Sequence, residues 1–114
     1  MNEIQATARI LIHPGKLEEF KAIAEKCIQS AREKDPGTLQ YDWFLNDEGT
    51  ICTVCEKYQD SNSVLAHAAN LGNLLADLDT VGDLEIIVCG DTSDELKAAT
   101  EGMNISFNTK FAGL

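Results

Sequence analysis

The sequence predicts an α+β fold in the order β-α-β-β-α-β, followed by a short helix and one further strand. Three observations carry this. Residues 3–13 alternate apolar and polar side chains with a period of two. Residues 16–34 repeat apolar side chains with the period of a helix. The same two signatures then recur as strand, strand, helix, strand.

In the first strand Ile4, Ala6, Ala8, Ile10 and Ile12 share one face; Gln5, Thr7, Arg9, Leu11 and His13 share the other. Pro14-Gly15 breaks it. The helix over 16–34 carries a stripe of Leu17, Phe20, Ile23, Ala24, Cys27, Ile28 and Ala31 against a charged opposite side. Asp35-Pro36-Gly37 ends it. Residues 38–46 form a second strand with Leu39, Tyr41, Trp43 and Leu45 on one face. Asp47-Glu48-Gly49 turns it into a third strand over 50–58, where Cys52, Val54, Glu56 and Tyr58 share a face. Asp60 or Ser61 caps a second helix striped by Val64, Leu65, Ala68, Leu71, Leu75 and Leu78, with Gly72 placed to bend or split it. Residues 83–90 form a fourth strand, apolar on both faces, as suits a central or dimer-covered strand. Thr92-x-x-Glu95 reads as a capping box opening a helix over 93–100, and 103–111 as a last, weaker strand.

This order is the ferredoxin-like split βαβ unit. Helices cover one face of its sheet. The other face keeps apolar residues, and a second copy of the same sheet is the simplest cover, so a homodimer is expected.

The 114 residues suffice for one domain. The net charge of −10 argues against nucleic acid, which needs clustered Lys and Arg, and against an anionic membrane surface. No apolar run approaches the roughly 20 residues of a spanning helix. Met1-Asn2-Glu3 does not begin a basic and then apolar leader, so a cytoplasmic protein is expected. Cys27, Cys52, Cys55 and Cys89 are then free, buried thiols. Cys52 and Cys55 form a C-x-x-C, but on a strand residues three apart face opposite ways, which suits neither redox nor zinc chemistry.

Five side chains are candidates for chemistry. His67 stands at the edge of the second helix's apolar stripe, either as a proton acceptor facing a pocket or as a boundary histidine bonded to backbone or solvent. Trp43 and Tyr41 share a strand face and either wall a pocket for a flat aromatic molecule or form a core pair. Glu56 lies on a mostly apolar face, either as an acid of raised pKa or as the partner of Arg9 or Lys57. Arg9 is the only positive charge of the first strand. His13, before the Pro-Gly turn, reads as exposed and structural. There is no G-x-G-x-x-G, phosphate loop or G-x-S-x-G elbow, and two distant histidines give no metal-ligand spacing. Nothing in the sequence requires a cofactor.

Several segments resemble the antibiotic biosynthesis monooxygenase (ABM) domain. They are His13-Pro14-Gly15-Lys16-Leu17-Glu18-Glu19-Phe20, then Asp35 to Trp43, then Glu56-Lys57-Tyr58-Gln59-Asp60-Ser61 with Val64-Leu65-Ala66-His67. The stretch Gly90 to Leu96 and the closing Phe111-Ala112-Gly113-Leu114 resemble a less characterised branch. The resemblance implies a dimeric α/β barrel of two sheets packed face to face, alone or as a dimer of dimers, with a pocket in each subunit. It implies oxidation of a quinol, anthrone or polycyclic phenol by O2 without metal or flavin, the deprotonated substrate supplying the electrons. A non-catalytic module that binds a small aromatic molecule, or a stress-related dimer, is the alternative. In the first reading His67, Trp43 and Tyr41 form the site, and Glu56 and Arg9 assist or hold structure. The interior asparagine on the first strand and the later helical histidine of heme-degrading relatives are missing.

Overall fold

Alternation builds the first strand as expected: β1 (Ile4–Ile12) buries every second side chain, from Ile4 to Ile12. The computed structural model describes residues 3–114; Met1 and Asn2, part of the N-terminal sequence reading, lie outside the described residues. After β1 come α1 (Leu17–Lys34), β2 (Thr38–Leu45), β3 (Ile51–Tyr58), α2 (Ser61–Leu71), α3 (Leu74–Val81), β4 (Gly82–Cys89), α4 (Asp94–Ala99) and β5 (Ile105–Asn108).

The strands form one sheet in the order β2-β3-β1-β4-β5. Its first four strands are antiparallel neighbours in the ferredoxin-like order, and β5 joins β4 in parallel. The sheet is open within one chain, with β2 and β5 at its edges. The helices cover its inner face, where Ile10, Phe20, Cys27, Val54, Leu71 and Val81 belong to one buried cluster. The outer face of the sheet exposes Leu11, Phe44 and Ile87, each more than two-fifths accessible.

Several boundaries differ from the sequence reading, each for a local reason. The second helix is two, because Gly72 takes φ of 55° and caps α2 through its amide on Ala68 O. Leu39 falls where the β2–β3 register shifts, and its side chain is exposed instead of sharing the Tyr41 face. The α4 cap is Ser93 and not Thr92: its hydroxyl accepts from Leu96 N at 3.1 Å. The last strand spans only 105–108, held to β4 of the same chain, and Phe111 beyond it is fully exposed. β4 is interior, but its outer face also carries the exposed Asp83 and Glu85. Cys27 and Cys52 are buried, whereas Cys55 is half-buried and Cys89 is exposed, because their strand positions point outward. Cys52 and Cys55 do face opposite ways.

Two contacts position α2 relative to the end of α1. Asp60 caps α2, its carboxylate accepting from Ser63 N at 2.8 Å and Ser63 Oγ at 2.9 Å. Gly37, just after α1, packs against that same serine: a Cβ added there would stand 2.1 Å from Ser63 Oγ. Gly37→Ala must therefore push Ser63 off its cap. We expect a loss of about 1–3 kcal/mol, read as a lower melting temperature. Adding Ser63→Gly should recover part of that loss, and a melt unchanged by Gly37→Ala would show that the contact does not constrain the helix.

Candidate active site

The end of α1 and the middle of α2 meet at one buried pair. Asp35 caps α1, its amide donating to Ala31 O at 3.1 Å, and its side chain turns inward. His67 lies two turns into α2 with 6% of its surface accessible. Its Nδ1 sits 2.6 Å from Asp35 Oδ2. The other carboxylate oxygen accepts from Asn70 Nδ2, one helical turn beyond His67. Asn70 Nδ2 also donates to Lys34 O at 3.2 Å, and Ser30 Oγ donates to Asn70 O at 3.2 Å. The two helices are thus fastened through both oxygens of Asp35.

An imidazole beside a carboxylate places its proton on the nitrogen facing the acid. With Nδ1–H committed to Asp35, Nε2 is the nitrogen left for a ligand. Burial lowers the His67 pKa, and the Asp35 hydrogen bond and charge oppose this. The ring is neutral at pH 7, and Asp35 stands ready to stabilise the imidazolium.

His67 forms part of the wall of a cavity of about 220 Å³ between the inner sheet face and the helices. The floor includes Ala6 and Ala8, whose methyl groups leave space that Ile4, Ile10 and Ile12 fill elsewhere along β1. Leu71, Leu75 and Leu78 roof it from α2 and α3. Its lining is predominantly apolar, so the few polar atoms on it stand out.

Two tyrosine rings border His67. The Tyr41 ring stands 4.8 Å from the imidazole, edge to face, and the Tyr58 ring 5.4 Å away. Trp43 meets Tyr41 at 5.5 Å and Phe20 at 6.0 Å. Trp43 Nε1 is buried and has no hydrogen-bond partner among the described residues. Glu56 lies on β3 between Ala6 and Tyr41 in register, and the Tyr58 hydroxyl donates to it. Burial pushes the Glu56 carboxyl up to about 7, the Tyr58 bond pulling it down in part. The Tyr41 hydroxyl faces the Cys27 thiol; burial raises both, Cys27 to about 11, so each keeps its proton.

Four of the five residues singled out in the sequence, His67, Trp43, Tyr41 and Glu56, line this cavity. Arg9 does not. β1 alternation turns Ala8 and Ile10 inward and Arg9 outward, where its register partners are Thr53 and Glu85. Glu56 pairs with neither Arg9 nor Lys57; Lys57 lies outward, 3.9 Å from Glu3. Asp35, Asn70 and Tyr58 escaped the sequence reading. Asp35 carried the signal of a helix stop and Tyr58 that of a strand residue sharing the Glu56 face, and the family resemblance covered both without giving either a role. His13 lies outside the cavity, 2.9 Å from Asp83. Among the described residues no group of His, Cys, Asp and Glu is arranged to hold a metal ion, and no helix is long and apolar enough to cross a membrane.

The family model of antibiotic biosynthesis monooxygenases matches residues 4–71. No curated protein matches the chain. Among solved structures, MupZ from Pseudomonas fluorescens superposes with a TM-score of 0.87 at 24% identity, over 100% of this chain and 94% of that one. SnoaB from Streptomyces nogalater, a cofactor-independent oxygenase, gives 0.70 at 14% identity, over 82% of this chain and 96% of its own. Rv0793 from Mycobacterium tuberculosis gives 0.71 at 16% identity, over 82% and 98%. At such identities the structures establish a shared fold. The family model spans more than half of the chain and includes both Asp35 and His67; the chain belongs to the antibiotic biosynthesis monooxygenase family.

Proposed function

We propose that the chain is a cofactor-independent monooxygenase that oxidises a phenol or quinol with O2, and that it works as a homodimer. The observation that carries the reading is the buried His67–Asp35 pair at 2.6 Å on the wall of an apolar cavity. His67 Nε2 takes the hydroxyl proton of the substrate, and Asp35 stabilises the imidazolium. The phenolate shares its charge with the ring carbons, and in a predominantly apolar site it reduces O2 directly at carbon. The peroxide formed at carbon takes a proton from Glu56, the O–O bond breaks as Glu56 takes back the C–H proton, and the departing hydroxide takes the proton held on His67, so a quinone and water result. One phenol and one O2 give one quinone and one water, so every electron comes from the substrate. Trp43 Nε1, a buried donor without a partner, supports a hydrogen bond to the substrate oxygen. Tyr41 and Trp43 supply flat apolar walls.

One observation favours a second reading. His67 and Glu56 put a base and an acid on facing walls, and such a pair also serves redox-neutral proton transfer, as in isomerisation or opening of a C–O bond. Turnover of a substrate under strict anaerobiosis would select it over oxygenation.

The test is oxygen uptake by purified protein against a panel of quinols and phenols. We expect His67→Ala to lower kcat by about a hundredfold to ten-thousandfold, as for loss of a general base. Asp35→Asn should lower kcat with little change in KM, because it turns the imidazole tautomer without emptying the cavity. Wild-type rates in both variants would remove His67 from the chemistry.

The pH profile follows from the two shifts. The base works only when neutral, so the acid limb falls below the ordinary histidine range, where His67 is protonated. The acid works only when protonated, so the rate falls again as pH rises through about 7 and Glu56 ionises. A bell is expected, and Glu56→Gln should flatten its alkaline limb. An alkaline limb that persists in Glu56→Gln belongs to another group.

The homodimer is supported by the outer sheet face, where Phe44 is 55% and Ile87 41% accessible. We expect light scattering to report a dimer, and Phe44→Asp with Ile87→Glu to yield a folded monomer. A wild-type monomer at micromolar concentration would end the dimer reading.

A further inference from the structure

We infer that the substrate's reacting ring carries a long apolar substituent, and that Met103 sets how far this substituent extends. This rests on the reading that the ring sits against His67. Beyond the cavity of about 220 Å³ lies an outer recess of about 420 Å³. Leu75, Leu84, Ile86 and Met103 belong to the walls of both. They form a waist made of apolar side chains: Leu75 from α3 above, Leu84 and Ile86 from the inner face of β4 below, Met103 from the α4–β5 connection at the side.

A compact ring fills the inner cavity and leaves this waist facing water. An alkyl chain leading away from the ring would cover it. The recess itself adds the polar side chains of Asp79 and Asn104. Asp79 and the net charge of −10 disfavour an anionic terminus there. The terminus that fits is therefore not anionic.

Met103 is the adjustable part of the waist. Its backbone is pinned: Met103 N donates to Thr100 O at 3.1 Å and Ile105 N to Met103 O at 2.9 Å. Asn104 Nδ2 donates to Leu84 O at 3.4 Å. The side chain itself is 40% accessible and unbranched, so it moves aside without moving the fold. All four waist residues lie beyond the residues 4–71 matched by the family model.

The experiment is titration of Trp43 fluorescence, with calorimetry beside it, against para-cresol, para-butylphenol, para-octylphenol and para-dodecylphenol. Each methylene buried at the waist should tighten binding about fourfold, from about 0.8 kcal/mol per methylene. Met103→Phe should weaken the octyl and dodecyl compounds by roughly tenfold or more, the worth of two methylenes, and leave para-cresol unchanged. Met103→Ala should keep the full gain, and a melt on each variant checks its folding. Affinity independent of chain length overturns the inference, as does a Met103→Phe effect equal for all four compounds. These readouts need no turnover. A protein that binds long chains through the waist but takes up no oxygen would keep this inference and lose the monooxygenase reading; oxygen uptake without chain-length dependence would do the reverse.

Discussion

The hydrogen bond between His67 and Asp35 is the constraint on which the site depends. A carboxylate removed from water is costly unless its oxygens are bonded. Asp35 answers this with His67 on one oxygen and Asn70 on the other. Both partners come from α2, so satisfying the acid fixes the rotation and height of α2 against α1. Gly37 and Ser63 then let the chain pass between those helix ends at a separation that admits no side chain. The geometry that orients the imidazole is the same geometry that docks the helix, and neither is adjustable alone.

With the helix fixed, side-chain volume on the sheet decides where space remains. β1 presents isoleucines at both ends of its inner face and alanines at its centre. The alanines stand opposite α2, below His67, and the cavity opens over them. Flanking strands close its side with Tyr41, Trp43 and Tyr58, rings stiff enough to hold a void that flexible side chains would fill. Asp35 and Glu56 apart, the acidic side chains are exposed or half-buried, and their charge does not bear on neutral molecules such as O2 or a protonated phenol.

Much of this was legible in the sequence because two periodicities carry it. Alternation in residues 4–12 and 51–58 assigned each side chain to the inner or outer face, Glu56 among them. The same alternation sends Arg9 outward, so its charge suggested a role that its position denies. Leu39 failed for the opposite reason: a register shift between Thr38 and Gln40 breaks the period, and nothing in the residue types announces it. Asp35 was hidden by its own context. Asp-Pro-Gly is a helix stop whether the acid points to water or inward, and only the packing of α1 on α2, brought together from distant parts of the chain, decides which. The waist residues were visible as apolar stripe and strand positions, but a stripe does not reveal whether its side chains touch one another or border a space.

Desolvation acts with opposite sign on an acid and a base. The same enclosure raises Glu56 to about 7 and lowers His67, so the usual order of the two is reversed and the acid holds its proton more tightly than the base. On the acid side of pH 7 and above the lowered His67 pKa, each is largely in its uncharged form, the form in which the acid can give a proton and the base can take one. An apolar cavity would resist holding a carboxylate and an imidazolium at rest, yet it accepts the neutral pair and becomes charged only when a substrate proton moves. Asp35 breaks the symmetry. It is not among the cavity's lining residues and bonds the imidazole at Nδ1, so in the proposed reaction it stabilises the cation formed there and favours proton transfer from substrate to His67, while Glu56 keeps its own proton for the oxygen that needs it.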